Sequence, residues 1–421
     1  MLRHVSGATF MRIGLIGHLK FPIRRPYAGG LEMFTHGFVT GLRRRGHDVT
    51  LFASADSDRI LPLEPIVPAG TVDAFAHRPE KTRDSEIESH EDRAYGDLMG
   101  RLDGRGFDVL HNNSLSPVVL RLGVGLRTPM VTTLHVPPLP RLTQLLRQFP
   151  AVRDLSYINV SQANADAWQE YLPSHPVVHN GTDTQLWCPS AAGRRLAVGG
   201  EPRAIWSGRI LADKGTSLAV DAAHRAGLAI DVVGPINDPA YFEQEVRPLL
   251  TARDCYHGLL DHTQLSQLVA RASVALVTPC WDEPFGLVVS EALSSGTPVA
   301  AFERGGPAEL IDPTVGRLAK AGDVKDLARA ITECLSVERR ACRQKAVQDY
   351  SITAMIRRYE LMFEQQLNTV RSTRVLHPLP GKPSERAGRR APAASKAAPL
   401  TAVPVAAALP DVRLTNTAAS P

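Results

Sequence analysis

Two carboxylates stand eight positions apart in the segment Glu283-Pro-Phe-Gly-Leu-Val-Val-Ser-Glu291. Pro284 favours an extended backbone at Glu283, and the Phe285-Gly286 pair favours a turn from which a helix begins. The N–H groups at the start of such a helix attract an anion, and carboxylates accept hydrogen bonds from neighbouring hydroxyls. The segment therefore predicts a site for a ligand that carries phosphate and hydroxyl groups. An acidic residue at a helix start, followed by an ordinary helical Glu, would give the same pattern.

Two basic residues follow one predicted strand in the second half of the chain. Arg209 comes two residues after the strand end at Ser207, and Lys214 lies five residues later. Because ligands bind at the carboxyl ends of parallel strands, both cations are expected to face a cleft. An arginine offers a planar fork to phosphate oxygens, and a lysine offers a mobile point charge. The pair predicts a diphosphate-binding corner, with solvated loop residues as the alternative.

A glycine pair, Gly29-Gly30, occupies the first predicted strand-to-helix junction. Glycine lets backbone amides approach a phosphate closely and tolerates positive φ, so this turn either contacts a ligand or is a plain structural turn. A nicotinamide nucleotide fits less well, because the run from Gly14 to Gly17 lacks the G-x-G-x-x-G spacing.

The elements that position these residues alternate between short apolar runs and amphipathic segments. In the first half, strands are predicted at residues 12–16, 48–53, 108–111, 130–134 and 157–160. A helix with one apolar face starts at Leu31 and ends at the basic stretch before Gly46. Residues 62–95 contain prolines and many charges, which predicts a loop region followed by the start of a helix.

The second half repeats the alternation, with strands predicted at residues 203–207, 229–233, 274–278 and 298–302. Helices fit at residues 216–226, 264–272 and 286–295. This pattern predicts an α/β protein with two Rossmann-like, doubly wound parallel-sheet domains that face each other across a cleft. The predicted parts are an extension (1–10), an N-terminal domain (11–188), a linker (189–202), a C-terminal domain (203–350), a helix (351–371) and a disordered tail (372–421).

From Met11 to about Asn368 the chain resembles glycosyltransferase family 4. The resemblance is carried by six short motifs in the family's order: Gly29-Gly30 with Glu32, Thr133-Leu-His135, Asn180-Gly-Thr-Asp183, Gly208-Arg209 with Lys214-Gly215, Glu283-Pro-Phe-Gly286 with Glu291, and Gly305-Gly306 with Glu309. It implies the GT-B fold, with an acceptor domain first and a donor domain second.

The resemblance also implies the role of each motif. Arg209 and Lys214 would bind the diphosphate of a nucleotide sugar and stabilise the leaving nucleotide. Glu283 would contact the transferred sugar, and Glu291 the ribose. The remaining donor-binding positions implied in this way are Gly29, Gly30, Phe285, Gly286 and Leu287.

Two histidines at predicted strand ends are the candidates for contacts to the acceptor. His135 follows the strand 130–134, and the resemblance places it beside the sugar, where it donates a hydrogen bond and belongs with Arg209, Lys214 and Glu283 in the catalytic set. His111 ends the strand 108–111 with less motif support. The Asn180-Gly181 segment and Asp183 are interpreted as a turn that sets the connection between the domains.

These roles together predict a retaining transferase. The diphosphate leaves on the face that the acceptor hydroxyl enters, and the leaving phosphate oxygen takes the acceptor's proton, so that charge-stabilising donors supply most of the catalysis. No metal and no cofactor is predicted, and the co-substrate is a nucleotide sugar, UDP- or GDP-linked. The alternatives left open are a nucleotide-sugar epimerase, a relative of sucrose-phosphate synthase, and a non-catalytic nucleotide-sugar-binding protein.

Composition limits the partners. The net charge of +5 lies in the seven Lys/Arg and two Asp/Glu from Ser372 onward, so the rest of the chain is neutral, which argues against nucleic acid. Five widely spaced cysteines predict neither a disulfide framework nor a zinc site, and no apolar run is long enough to span a bilayer. We expect a cytoplasmic protein with a sugar or lipid-linked acceptor. Peripheral contact with the inner face of the membrane, through basic segments of the first domain and the tail, stays open.

Overall fold

The apolar runs form two six-stranded parallel sheets in the computed structural model, which describes residues 4–5, 8–189 and 201–376. The strands of the first half are β1 His4–Val5, β2 Ala8–Thr9, β3 Arg12–Ile16, β4 Asp48–Ser54, β5 Leu63–Val67, β6 Val109–Asn112, β7 Met130–Leu134 and β8 Ser156–Asn159. The first sheet has the order β5-β4-β3-β6-β7-β8, which is the doubly wound order of a Rossmann domain.

The second half repeats this topology. Its strands are β9 Arg203–Ser207, β10 Ala229–Val233, β11 Cys255–Tyr256, β12 Val274–Val277, β13 Val299–Phe302 and β14 Gly316–Ala319. They pair in the order β11-β10-β9-β12-β13-β14, and each neighbouring pair is parallel. The predicted GT-B architecture of two Rossmann-like domains is therefore confirmed.

Helices cover both faces of the sheets. In the first half they are Gly30–Arg44, Thr71–Ala74, Glu80–Met99, Pro117–Gly123, Pro140–Gln148 and Gln162–Trp168. In the second half they are Thr216–Arg225, Pro239–Tyr241, His262–Arg271, Leu287–Ser294, Gly305–Glu309, Val324–Cys334, Arg339–Asp349 and Ile352–Leu376. None of the described helices combines the length and the hydropathy of a transmembrane span.

The sequence missed three strands of the two six-stranded sheets. Residues 62–95 were predicted to be a loop and a helix start, but they include β5 and most of the twenty-residue helix Glu80–Met99. The strand β5 contains Pro65, which is tolerated because β5 is at the edge of its sheet. The strands β11 and β14 are only two and four residues long and are also edge strands.

The last helix returns the chain to the N-terminal domain. It runs from Ile352 to Leu376, five residues beyond the predicted end. The Tyr359 ring lies 4.6 Å from the Phe38 ring, and the helix joins the core of the first sheet. A Cβ added at Gly41 would lie 3.0 Å from Ile356 Cγ1, so the glycine permits close packing of this helix against Gly30–Arg44.

The chain passes from the C-terminal domain to this helix beside the Asn180-Gly181 turn. The Thr182 N–H donates to the Tyr350 carbonyl at 2.7 Å, and the Ile352 N–H donates to the Thr182 carbonyl at 3.1 Å. A Cβ at Gly181 would lie 2.6 Å from the Ile352 Cα, so only glycine fits there. The turn therefore joins the segments that connect the two domains, as the sequence indicated.

The predicted extension, linker and tail lie partly or wholly outside the residues that the structure describes. Part of the extension 1–10 forms the antiparallel pair of β1 and β2. The linker 189–202 lies mostly outside the described residues, and so does the tail from residue 377 onward. The predicted domain boundaries and the predicted disorder of the tail therefore stay predictions.

Candidate active site

A cavity of about 530 Å³ lies where the carboxyl ends of the two sheets face each other. It is lined by all nine residues that the sequence assigned to donor binding and by His135. Those nine residues are Gly29, Gly30, Arg209, Lys214, Glu283, Phe285, Gly286, Leu287 and Glu291. The structure therefore brings together motifs that are spread over more than half of the chain, and we call this space the cleft cavity.

The basic corner of the cleft cavity is built at the end of β9. Arg209 is exposed there, and Lys214 ends a short 3-10 turn before Gly215, whose φ is +64°. A Cβ at Gly215 would lie 2.2 Å from the Thr278 carbonyl oxygen, so a side chain at this position would push the turn away from β12. The Thr278 hydroxyl, 3.0 Å from the Lys214 carbonyl, fixes the turn further. Close backbone packing thus aims Lys214 into the cavity.

The Lys214 ammonium forms an ion pair with the Glu283 carboxylate across the cleft cavity. It also lies 5.6 Å from the centre of the Trp281 ring, within the range of a cation–π contact. Both partners of the ion pair are largely shielded, with side chains 22% and 13% exposed. The two groups expected to bind phosphate and sugar are therefore adjacent and of opposite charge.

The loop that carries Glu283 rests on the motif Gly305-Gly306. The Gly306 N–H donates to the Glu283 carbonyl at 2.7 Å, and a Cβ at Gly306 would lie 2.3 Å from the Pro284 carbonyl oxygen. Gly305 has φ +56°, and a Cβ there would lie 2.7 Å from the Glu283 carbonyl oxygen. This motif has a supporting role, because it holds the backbone of the Glu283 loop and lines no part of the cleft cavity.

Gly286 starts the helix Leu287–Ser294 from a left-handed conformation, with φ +89°. A Cβ at this position would lie 2.7 Å from Pro307 Cγ. The first turn of any helix has N–H groups without intrahelical partners, so this helix start presents donors to the cleft cavity. The sequence-based prediction of a turn followed by a helix is correct in position.

The glycine pair of the N-terminal domain approaches the same helix. A Cβ at Gly30 would lie 3.2 Å from Leu287 Cδ1, so the two domains touch at this point. Neither glycine has a positive φ, because Gly29 has φ −165° and Gly30 is the first residue of a helix. The closeness of the opposite domain, and of Glu32 to Gly29, is what favours small residues here.

Glu291 is buried in the wall of the cleft cavity. It lies about one turn after the start of the helix Leu287–Ser294, and the residue is only 6% exposed. Burial raises the pKa of Glu291 from its ordinary value of 4.5 to about 8. The carboxyl group is thus mostly protonated near neutral pH, and it can both donate and accept hydrogen bonds.

His135 lines the cleft cavity from the N-terminal domain. Its Nε2 lies 2.9 Å from Asn113 Oδ1, and its ring packs edge-on against Phe34 at 4.5 Å. Burial, followed by the nearby His18, lowers the pKa of His135 to about 3, so the ring is neutral at physiological pH. Because an amide oxygen only accepts, Nε2 carries the hydrogen and Nδ1 is left as an acceptor. This differs from the expected donation to the sugar.

His111 does not reach the cleft. It lies within β6, is completely buried and places its Nε2 2.9 Å from the Thr133 hydroxyl. Its ring packs against Phe38 and Tyr359 in the core of the N-terminal domain. An acceptor has no access to this ring, so we withdraw His111 as a candidate contact.

Other residues of the cleft cavity were not assigned to ligand binding from the sequence, among them Tyr27, Asn180, His262 and Trp281. The Oδ1 of Asn180 and the Nε1 of Trp281 are buried atoms that no described residue satisfies. Both are free to bond hydroxyl groups of a ligand. Trp281 lies two residues before Glu283, and this closeness to a predicted site residue could have indicated that Trp281 belongs to the site. Asn180 was part of a motif but was interpreted only as a turn.

A second cavity, of about 590 Å³, adjoins the first and shares Tyr27, His262 and Glu291 with it. Its C-terminal-domain wall is formed by the end of β10 and by residues 259–265, among them Leu259, Leu260 and Leu265. This wall follows the Tyr256-His257-Gly258 loop. We call this space the side cavity.

Among the described residues, one group has the spacing of metal ligands: Asp231, Cys255 and His257. The Asp231 carboxylate already accepts two hydrogen bonds from Arg203, both at 3.0 Å, and lies 2.9 Å from His257 Nε2. None of these residues lines the cleft cavity. All five cysteines lie among the described residues and are free thiols.

Comparison with known proteins agrees with this geometry. Residues 28–186 match the family model Glycosyltransferase Family 4, and residues 193–349 match the model Glycosyl transferases group 1. The glycogen synthase of Mycobacterium tuberculosis is 28% identical over 366 residues, which cover 76% of this chain and 87% of that protein. The D-inositol 3-phosphate glycosyltransferase of Mycolicibacterium smegmatis is 25% identical over 91% of this chain and 96% of its own length.

A similar fold occurs in the crystal structure of Anabaena HepE in complex with UDP and glucose. The TM-score is 0.62 with 19% sequence identity, and the match covers 84% of this chain and all of that one. At this level of identity, the likeness concerns the fold.

Proposed function

Because the chain belongs to glycosyltransferase family 4, with family models matching both of its domains, we propose that it transfers a sugar from a nucleoside diphosphate sugar to a hydroxyl acceptor with retention of the anomeric configuration. The observation that carries this proposal is the cleft cavity itself. It collects two cations, two carboxylates, a helix start and a neutral histidine from both domains around one space.

An extended donor fits the order of these groups. The diphosphate lies between Arg209, Lys214 and the start of the helix Leu287–Ser294. The sugar extends towards Glu283 and His135, whose oxygens and Nδ1 accept hydrogen bonds from its hydroxyls. On the other side, the ribose reaches Glu291, and the nucleoside enters the side cavity. Glu291 stands where the two cavities meet, which supports this direction of the donor.

The reaction follows from where the charge develops. The bond between the anomeric carbon and the phosphate oxygen breaks, and the acceptor oxygen bonds to that carbon on the same face. The acceptor's proton passes to the leaving phosphate oxygen, so that no protein base is needed. Arg209, Lys214 and the N–H groups after Gly286 stabilise the negative charge of the leaving diphosphate, the largest single contribution expected for such a step. In this proposal the two side-chain cations neutralise the diphosphate without a metal ion.

The acceptor is proposed to be a sugar or a lipid-linked acceptor that approaches from the N-terminal domain. The relatives are named a glycogen synthase and a D-inositol 3-phosphate glycosyltransferase, and we therefore propose glycogen and D-inositol 3-phosphate as the first candidates. We propose UDP or GDP as the nucleotide and the cytoplasm as the location. Peripheral membrane contact would serve a lipid-linked acceptor.

Incubation of the purified chain with UDP-, GDP-, ADP- and CMP-linked sugars and these acceptors tests the proposal. We expect one of these donors to release its nucleotide only when an acceptor is present. NMR analysis should show that the new linkage keeps the anomeric configuration of the donor. An inverted linkage would contradict the retaining mechanism. Conversion of the donor without an acceptor would identify an epimerase, and binding of a nucleotide sugar without conversion would identify a non-catalytic protein.

A further inference from the structure

A loop of the N-terminal domain reaches the nucleotide side of the C-terminal domain. The Tyr27 ring lies 5.6 Å from the His262 ring, and His262 is the first residue of the helix His262–Arg271. On its own domain, Tyr27 is held by His36, whose ring is also 5.6 Å away. Tyr27 therefore bridges the cleft at a position separate from the contact between Gly30 and Leu287.

Arg25 stands beside Tyr27 on this loop. Its Nε donates to the Tyr27 hydroxyl at 3.4 Å, and its guanidinium carbon lies 6.0 Å from the centre of that ring. Arg25 is exposed, and no described carboxylate forms a salt bridge with it. The guanidinium group thus keeps hydrogen-bond donors that are free for a ligand.

The side cavity has walls from both domains. Arg25, Pro26 and Tyr27 form one wall, and the opposite wall is largely apolar. At its rim, the Leu259 side chain is 68% exposed, which is high for a leucine. A flat, partly polar group that enters this cavity would be covered by Leu259 on one side and by the loop 25–27 on the other.

We propose that Arg25 and Tyr27 complete the nucleoside pocket from the N-terminal domain, an inference that rests on the proposed function. Tyr27 packs on the nucleoside, and Arg25 donates hydrogen bonds to the carbonyl oxygens of the base. Nucleotide recognition then requires both domains, and the bound nucleoside holds the cleft closed. In the alternative, the C-terminal domain binds the nucleoside alone, and the loop 25–27 only shapes the domain interface.

Isothermal titration calorimetry with UDP, GDP, ADP and CDP tests this proposal. The variants are Tyr27→Ala, Tyr27→Phe and Arg25→Ala, with Arg24→Ala as the matched control. Arg24 is an exposed arginine of the same loop, and it lines neither cavity. Thermal unfolding of each variant shows whether it is folded, and Arg25→Ala removes only an exposed side chain.

For the nucleotide that binds the wild type best, we expect Tyr27→Ala to weaken binding by about ten-fold or more, as for the loss of one base–aromatic contact. Arg25→Ala should weaken it by roughly five-fold, the range of one hydrogen bond. Tyr27→Phe keeps the ring and should lose less affinity than Tyr27→Ala, and Arg24→Ala should stay within about two-fold of the wild type. Wild-type affinity in both Tyr27→Ala and Arg25→Ala would overturn the inference and leave the proposed function intact. Failure of the wild type to bind any of the four nucleotides would overturn the proposed function itself.

Discussion

The Lys214 ammonium and the Glu283 carboxylate form an ion pair in the cleft cavity. They come from loops at the ends of two neighbouring strands, β9 and β12, and meet where the proposed donor places the junction of phosphate and sugar. When the proposed donor binds, its phosphate would pair with the Lys214 ammonium, and its sugar hydroxyls would donate hydrogen bonds to the Glu283 carboxylate. The two side chains would then no longer pair with each other. The proposed donor would thus replace this ion pair.

This replacement predicts opposite effects of Glu283→Gln on two measurements. The amide no longer competes with phosphate for Lys214, so nucleoside diphosphate should bind as tightly as to the wild type or up to about ten-fold more tightly. Transfer should fall by roughly a hundred-fold in kcat/KM, because the sugar loses a charged hydrogen-bond acceptor. Calorimetry and initial rates measure the two quantities. Clearly weaker binding of nucleoside diphosphate would contradict a competing carboxylate.

The turn at Gly286 predicts a second effect, on stability. Gly286→Ala must adopt φ +89° and place its Cβ 2.7 Å from Pro307 Cγ. Gly227→Ala is the matched control, because Gly227 has φ +77° and nothing within 4 Å of an added Cβ. We expect Gly227→Ala to lower the free energy of unfolding by about 1 kcal/mol and Gly286→Ala by roughly 2–4 kcal/mol. Urea denaturation measures both changes. Equal losses in the free energy of unfolding would show that Pro307 can move away from the added Cβ without a measurable cost.

Burial of Glu291 predicts a dependence of stability on pH. Its pKa is about 8 in the folded chain and near 4.5 when unfolded, so the folded state retains a proton that the unfolded state loses between these values. The contribution of Glu291 to stability should therefore fall as the pH rises from 4.5 to about 8. The total loss is on the order of a few kcal/mol, since one pKa unit corresponds to about 1.4 kcal/mol.

Thermal unfolding of Glu291→Gln across this range tests the prediction. The amide cannot ionise, so the variant should gain stability relative to the wild type as the pH rises, while its binding of nucleotide weakens. A difference between the two proteins that does not change with pH would show that the pKa of Glu291 is not raised in the folded chain.

Glu309 predicts a pH effect of the opposite sign. Its carboxylate, on the C-terminal domain, accepts hydrogen bonds from the Gln162 and Ala163 N–H groups at the start of a helix of the N-terminal domain. Burial alone would raise the pKa of Glu309, but His179 and these N–H groups lower it below 4.5. The stabilisation is therefore present above pH 4.5 and is lost as the pH falls through the lowered pKa.

We expect Glu309→Ala to lower the free energy of unfolding by about 1–2 kcal/mol near neutral pH, the range for hydrogen bonds to a charged group. The difference from the wild type should shrink under acid conditions. Glu303→Ala, at an exposed position, serves as the control. Urea denaturation at several pH values measures this difference, and a loss that stays constant down to acid pH would contradict the assigned role of the carboxylate.

The two histidines show how far the sequence could predict the site. His111 and His135 both stand at the ends of neighbouring parallel strands, so their local patterns look alike. His111 lies inside β6 and packs into the core, whereas His135 follows the last residue of β7 and reaches the cleft. One residue along the strand decides between the two outcomes, and predicted strand ends are not accurate to one residue.

Contacts across the cleft were beyond the reach of sequence patterns. Arg209, Lys214, Glu283 and Glu291 were predictable because each belongs to a short motif beside a clear strand or helix. Tyr27 and His262 meet only because two domains close on each other, and neither residue belongs to a local pattern. The packing of the last helix on the N-terminal domain escaped prediction for the same reason, since its apolar face does not specify a partner.

In the proposed function, the cleft cavity binds a sugar nucleotide through Lys214, and its sugar is transferred to an acceptor. The most direct test measures the release of nucleotide, in the presence of an acceptor, from the sugar nucleotide that the wild type uses. The proteins compared are the wild type, Lys214→Ala and Lys325→Ala. Lys325 is an exposed lysine of the same domain, outside the cleft cavity. We expect Lys214→Ala to lose about 10²–10³-fold in kcat, the usual loss for one charge-stabilising donor, and Lys325→Ala to match the wild type. Turnover by Lys214→Ala at the wild-type rate would contradict the claim.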